Sequence, residues 1–216
     1  SCERVFDPKI KKKPVIVLSN NDGCAIARSE EAKALGIQMG APAHLIKDVI
    51  EKNDVQVFSS NYTLYGDMSA RVMQVIKEFV PKTEVYSIDE IFADLSTLKY
   101  ADFTELAKEI KETVTRCTGI PVSIGIAKTK TLAKMANRYT KKTRPDDGVF
   151  CADEDWKLND ILSFTKVGDV WGIGGQYARL LEKNGFHTAS DFIKAPEDWV
   201  RKEMAVVGLR TQKELK

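Results

Sequence analysis

The sequence predicts an α+β fold, and three observations carry that expectation. Between about residues 66 and 140 the apolar pattern runs in the order helix, strand, strand, helix, strand, helix. Ahead of it, a stretch punctuated by Gly and Pro combines a hairpin with short helices. After about residue 155 the pattern is wholly helical.

Each element has its own signal. Ser1 to Val5 read as the tail of a helix. Pro14-Val15-Ile16-Val17-Leu18-Ser19 and Cys24-Ala25-Ile26-Ala27-Arg28 form a hairpin, joined by Asn20-Asn21-Asp22-Gly23, residue types that supply the positive backbone angles of tight turns. A helix over Glu30–Leu35 is stopped by Gly36, and Gly40-Ala41-Pro42 breaks the chain before another short helix. Met68, Val72, Val75, Ile76 and Phe79 then share one face of a helix that begins near Gly66 and that Pro81 closes. Val85-Tyr86 and Ile91-Phe92-Ala93 with Leu95 read as the two strands of a hairpin that carries Asp89-Glu90 at or beside its tip. Asp102 with Glu105 three residues later reads as a capping box ahead of Phe103, Leu106, Ala107, Ile110 and Val114.

Pro121-Val122-Ser123-Ile124-Gly125-Ile126 is a third strand. It runs directly into a helix with Leu132, Met135, Ala136 and Tyr139 on its apolar side. This order is a ferredoxin-like split βαβ unit without its first strand, which in that topology lies inside the sheet. A chain cut just after that strand, and prone to self-association through the exposed edge, is therefore expected. In the last segment, residues 167–175 lead into a helix over Gln176–Asn184 with Leu180 and Leu181 apolar and Gly185 as its C-cap, a helix-hairpin-helix pattern.

Bulk properties narrow the function. A length of 216 residues favours two or three small domains. With 33 basic and 31 acidic residues, net +2, binding to a polyanion must come from local clustering. No apolar run reaches the length of a membrane span and none resembles a signal peptide, so a cytoplasmic protein without a membrane partner is expected. Cys2, Cys24, Cys117 and Cys151 form no Cys-x-x-Cys pair, and His44 and His187 have no ligand-like spacing, which leaves neither a zinc site nor a disulfide framework.

Three stretches carry chemistry. Adjacent side chains in a continuous strand point to opposite faces, so Asp89 and Glu90 meet one ligand only at a turn or strand end. Converging there, they repel unless a proton or a hard cation is shared, and magnesium is the natural ion. The competing reading is a solvated turn, where Asp is common for its local hydrogen bonds. Lys128, Lys130, Lys134, Arg138, Lys141, Lys142 and Arg144 follow one another with no acid among them, which points to a phosphate-bearing partner over a mixed, solvated helix face. Gly172-Ile173-Gly174 can present backbone N–H groups at a helix start, an anion site that reads no base sequence, or it can be an ordinary interhelical turn.

With these pieces together the chain resembles the Y-family translesion DNA polymerases, of the UmuC type found as the catalytic subunit of DNA polymerase V. The likeness lies in residues 17–42, 58–73, 85–96 (VYSIDEIFADLS), 122–142 and 169–192 (DVWGIGGQYARLLEKNGFHTASDF), in family order. It implies a residual palm helix at 1–12, fingers at 13–65, palm at 66–152 and a helix-hairpin-helix thumb at 153–216. It also implies that Asp89 and Glu90 hold two Mg2+ ions across the primer 3′-hydroxyl and the incoming phosphates, with Ser87 beside the primer strand.

Arg28, Lys33 and Lys141 would meet the nucleotide triphosphate by the same likeness, and Lys130, Lys134, Gly172, Ile173 and Gly174 the DNA. Lys33 stands where many relatives carry arginine, and Glu30 where many carry tyrosine. The implied partners are primer-template DNA, deoxynucleoside triphosphates, a UmuD-type accessory subunit, a recombinase filament and a sliding clamp, in the bacterial cytoplasm. Family members begin with a strand bearing another metal-binding Asp and an aromatic residue that excludes ribonucleotides, and end in a little-finger domain. This chain shows neither, so a fragment without activity of its own is expected. Two other readings stand beside this one, a non-catalytic helix-hairpin-helix DNA-binding module and a nucleotidyl cyclase. The cyclase requires neither the inserted hairpin at 14–28 nor Gly172-Ile173-Gly174.

Overall fold

Cys2–Phe6 makes a single short helix (α1), and Ile10, 4% exposed, anchors the 3-10 turn that follows it. The computed structural model describes residues 1–99 and 102–216. They divide into two contact-dense units, Ser1–Ala93 with Val114–Pro121, and Asp94–Thr113 with Val122–Lys216. Helices and small sheets alternate in an α+β architecture. Among the described residues no helix is long and apolar enough to cross a membrane.

In the first unit Val15–Leu18 (β1) and Ala25–Arg28 (β2) pair antiparallel, with Ile16 opposite Arg28 and Val17 opposite Ala27. The turn between them differs from expectation in one detail. Its left-handed residue is Asp22, at φ 53°, while Asn21 Oδ1 accepts the Gly23 N–H at 3.2 Å. Asp tolerates this region better than most residues, and the Asn21 carboxamide supplies the local bond that shapes the turn.

Glu30–Ala34 (α2) starts at Ser29, whose Oγ accepts the Ala32 N–H, and stops at Gly36, whose φ of 81° is the left-handed stop. Lys47–Lys52 (α3) follows, and Gln56–Phe58 (β3) pairs parallel with β1 to complete a sheet of order β2-β1-β3. Ile16, Leu18, Ala25, Ala32, Ile37, Ile46 and Val55 form its core. Fully burying such an aliphatic side chain contributes roughly 1.5–3 kcal/mol.

The long helix Tyr62–Phe79 (α4) begins one turn before Gly66, because Asn61 Oδ1 accepts the Leu64 N–H at 3.0 Å. Met68, Val72, Met73 and Ile76 are its buried face. Tyr65 Oη donates to Glu3 Oε1 of α1 at 2.7 Å. Burial first, and then the Glu3 carboxylate, push the Tyr65 phenol up to about 12. Thr83–Val85 (β4) and Ile91–Ala93 (β5) close this unit as an antiparallel pair.

Phe103–Thr118 (α5) buries Leu106, Ala107, Ile110 and Val114, as its period requires. Its start departs from a capping box: the Asp102 carboxylate accepts the Thr104 N–H at 2.7 Å, and Glu105 pairs with Lys108 at 2.8 Å. In the second unit Ile124–Ile126 (β6) is shorter than the apolar run that announces it. It leads to Lys130–Thr143 (α6) and to Val149–Cys151 (β7), which pairs parallel with β6. Helix and sheet touch backbone to backbone: a Cβ on Gly125 would lie 2.1 Å from the Asn137 nitrogen and 2.4 Å from the Ala133 oxygen.

Asp155–Phe164 (α7), Gly175–Lys183 (α8), Ala189–Lys194 (α9) and Glu197–Glu214 (α10) make up the helical remainder. Leu132, Met135, Phe150, Ile161, Leu181, Phe192 and Met204 belong to one core that joins them to α6 and β7. A reciprocal capping box of Thr188 and Asp191 starts α9. Ala205, at φ 55° and ψ −162°, kinks α10 into two helical segments. Gln212, fully buried on the second segment, donates from Nε2 to the Phe192 and Ala195 carbonyls at 2.9 and 2.8 Å.

Candidate active site

Asp89 and Glu90 occupy a five-residue loop, residues 86–90, between β4 and β5. Tyr86 and Ser87 both donate their N–H groups to the Glu90 carbonyl, at 3.0 and 3.1 Å, which folds the loop back onto the start of β5. Ser87 Oγ donates to Asp89 Oδ1 at 2.7 Å and accepts the Asp89 N–H at 3.3 Å. Tyr86 leans on Phe92 with ring centroids 5.7 Å apart, fixing the base of the loop.

The two acids thus escape the alternation that would send them to opposite faces, because neither lies within a strand. Asp89 is exposed and Glu90 half-buried. Their oxygens are hard donors, the type that magnesium takes, and the loop holds no His or Cys that would favour a softer ion. Among the described residues no group of three or more His, Cys, Asp or Glu side chains could hold a metal, so the loop offers a pair of carboxylates.

Elsewhere in the same unit, Arg28 ends β2 and Lys33 sits on α2. Arg28 Nη1 donates to the Ile37 carbonyl at 2.8 Å, and its Nε is buried without a hydrogen-bond partner. Part of this guanidinium is therefore committed to holding the loop after α2. Lys33 Nζ lies 2.5 Å from Glu30 Oε1, an ion pair open to solvent.

In the second unit α6 carries the basic series. Thr129 Oγ1 caps it by accepting the Leu132 N–H, and Thr131, Leu132, Met135, Ala136 and Thr140 form its buried face. Glu214, at the end of α10, accepts the Thr131 N–H and hydroxyl, placing an acid at the positive end of the helix. The basic face is less uniform than its sequence. Arg138 forms an ion pair with Asp169 at 2.7 Å, Lys134 is half-buried over the Trp171 ring at 5.5 Å, and Arg144 lies over Phe150 at 5.5 Å. Lys128, Lys130, Lys141 and Lys142 remain exposed.

Gly172, at φ 93°, and Gly174, the N-cap of α8, shape the turn in front of that helix. The limb before it is a 3-10 turn, Val167–Asp169, instead of a second α-helix. Ile173 is buried, and its N–H is spent on the Val170 carbonyl at 3.0 Å. The outward donors are those of the first turn of α8, which no helix satisfies internally. Through Lys134 on Trp171 the basic helix and the glycine turn adjoin. The sequence reading missed Asp169, Trp171 and Glu214 as shapers of this face, since their contacts to α6 are non-local and leave no periodic trace.

Comparison with known proteins gives a consistent result. The model of the impB/mucB/samB family matches residues 1–138. Protein UmuC of Salmonella typhimurium is 45% identical over 218 residues, covering 100% of this chain and 52% of that protein. Protein ImpB of Salmonella typhimurium is 43% identical over 218 residues, covering 100% of this chain and 51% of that protein. The chain thus spans about half the length of the curated relatives it matches. Among solved structures, an insertion ternary complex of Dbh DNA polymerase superposes with a TM-score of 0.82 at 25% identity, over 99% of this chain and 64% of that one.

Proposed function

The chain belongs to the impB/mucB/samB family, and from that membership we propose that it carries the fingers, palm and thumb of a translesion DNA polymerase, at 13–65, 66–152 and 153–216. The reaction is template-directed nucleotidyl transfer past DNA damage. The observation that supports this reading is the β4–β5 loop, which carries Asp89 and Glu90 at adjacent positions outside the paired strands, with Ser87 bonded to Asp89.

In this reading Asp89 and Glu90 hold magnesium. The ion, when bound, neutralises charge on the attacking and leaving oxygens of the phosphoryl transfer. Ser87 keeps the Asp89 carboxylate oriented. Primer-template DNA lies along α6 and the first turn of α8, where phosphate contacts carry no base information. A UmuD-type subunit, a recombinase filament and a sliding clamp belong to the same proposal through the resemblance, as does a cytoplasmic location.

The test is magnesium-dependent extension of a primed template, undamaged and with an abasic site, by the full-length protein. DNA binding without any extension would favour a non-catalytic binding module and overturn the polymerase reading.

Two substitutions probe the nucleotide side. Lys141 is exposed in the last turn of α6 and in this proposal meets the triphosphate. Lys141→Ala is expected to raise the nucleotide KM about ten-fold with kcat little changed, as loss of a charge-assisted contact made equally in ground and transition states would do. Glu30 holds the Lys33 ammonium, so Glu30→Ala should release it toward the triphosphate. The expected fall in nucleotide KM is a few-fold, within the roughly 0–1 kcal/mol range of an exposed ion pair. Adding Lys33→Ala should cancel it, and steady-state incorporation kinetics read both effects.

A further inference from the structure

A second basic surface lies outside the site described so far. Phe6 closes α1 with 63% of its surface exposed, and Lys9, Lys11, Lys12 and Lys13 follow within seven residues. This is a held segment and not a loose tail. Ile10 is buried beneath it, and Asp7 caps its 3-10 turn by accepting the Lys9 N–H at 3.0 Å. Arg4 donates to the Lys13 carbonyl.

The neighbouring acids are already committed. Glu3 accepts from Tyr65, Glu31 pairs with Arg4, and Asp54 pairs with Lys13 at 2.7 Å. Lys9, Lys11 and Lys12 are exposed and, among the described residues, have no ion-pair partner. A solvated face normally mixes signs. Here the one acid inside the segment, Asp7, is held on the Lys9 N–H, and three like charges with no ion-pair partner follow it, in the same short segment as one exposed aromatic ring.

We propose that residues 6–12 form a contact for single-stranded nucleic acid, with Lys9, Lys11 and Lys12 on the phosphodiester backbone and one base stacked on Phe6. Folded through a 3-10 turn at about 2 Å per residue, the stretch from Phe6 to Lys12 spans only about 12 Å, a footprint at or below the short end of the roughly 4–16 nucleotides that single-strand sites occupy. A cationic track with an aromatic platform is the chemistry such strands recognise, and it tolerates any base. An anionic membrane is a poorer fit, because Ile10 is turned inward and only Phe6 would be offered to the lipid. The inference rests on the polymerase reading for the presence of single-stranded DNA, and it adds a contact distinct from α6 and the glycine turn.

Fluorescence anisotropy of a labelled oligothymidylate with the 216-residue chain, titrated over a range of salt, tests it. Lys9→Gln/Lys11→Gln/Lys12→Gln is expected to make the slope of log affinity against log salt shallower by about 2, since each neutralised phosphate of a single strand contributes ~0.7. Phe6→Ala should weaken binding about ten-fold with the slope unchanged, and Phe6→Trp should restore it. All three side chains of the triple variant are exposed, so its melting temperature should match that of the wild type.

An unchanged slope in the triple variant overturns the inference. So does a loss confined to phosphatidylserine vesicles with oligonucleotide binding intact. Lys128→Gln/Lys141→Gln/Lys142→Gln, measured in parallel, separates the two readings. Wild-type chain that binds no oligonucleotide, or binding that depends on this second triplet alone, would sink the contact at residues 6–12, whereas the polymerase proposal stands or falls on primer extension by the full-length protein.

Discussion

Asp89→Ala in the full-length protein is expected to lower magnesium-dependent primer extension by at least about 10³-fold, the scale on which a metal ligand contributes transition-state charge stabilisation. DNA affinity should stay within about two-fold, because the carboxylate is a metal ligand in the proposed mechanism and not a phosphate contact. The geometry makes this a clean test. Asp89 is exposed, and the bonds the structure gives it run to Ser87 within the same loop. Its removal should therefore cost the fold no more than about 0.5 kcal/mol.

Asp89→Asn keeps the shape and the bond from Ser87 while removing the charge, and should be as inactive as the alanine variant. Extension by either at near wild-type rate, in protein shown to be folded, would remove Asp89 from the site. Activity retained by Asp89→Asn but not by Asp89→Ala would make its role one of hydrogen bonding alone.

The second large effect is on stability. Gly125 sits in β6 where α6 crosses it, and a methyl group there would meet the Asn137 nitrogen at 2.1 Å and the Ala133 oxygen at 2.4 Å. Neither atom belongs to a flexible side chain, so the helix itself would have to move off the sheet. Gly125→Ala is expected to destabilise the protein by about 3 kcal/mol or more, at or beyond the upper end of overpacking costs. Chemical denaturation reads the change. The proposed DNA surface of α6 should suffer with it, because Leu132, Met135 and Ala136 would lose their seat in the core. A Gly125→Ala protein with wild-type stability would show that the backbone contact between α6 and β6 is looser than the structure has it.

Much of this arrangement was legible from residues alone. The loop holding Asp89 and Glu90 could be read because apolar runs flank it closely, and those runs left no place for the acids inside a strand. The buried faces of α4, α5 and α6 were equally plain, since each repeats its apolar residues over several turns.

What escaped was short or non-local. β3 and β7 have three residues each, and because they pair parallel with β1 and β6 no hairpin turn marks them, as one marks β4 and β5. The start of α4 was hidden because Gly66 interrupts the pattern while the cap, Asn61, lies a turn earlier. The basic face of α6 looked uniform because Asp169, the acid that pairs with Arg138, comes from another element. No local rule connects them.

Gln212 gives the last helices a common fate. Its carboxamide donates to the Phe192 and Ala195 carbonyls at the end of α9, and while the Phe192 carbonyl also accepts the Ala195 N–H, the Ala195 carbonyl lies past the helix end. If the second segment of α10 separates, the Ala195 carbonyl loses the Gln212 donor just as the core around Phe192 and Leu215 opens to water. The two helices are therefore expected to exchange their protected amides as one cooperative unit, instead of fraying in turn from the C-terminus.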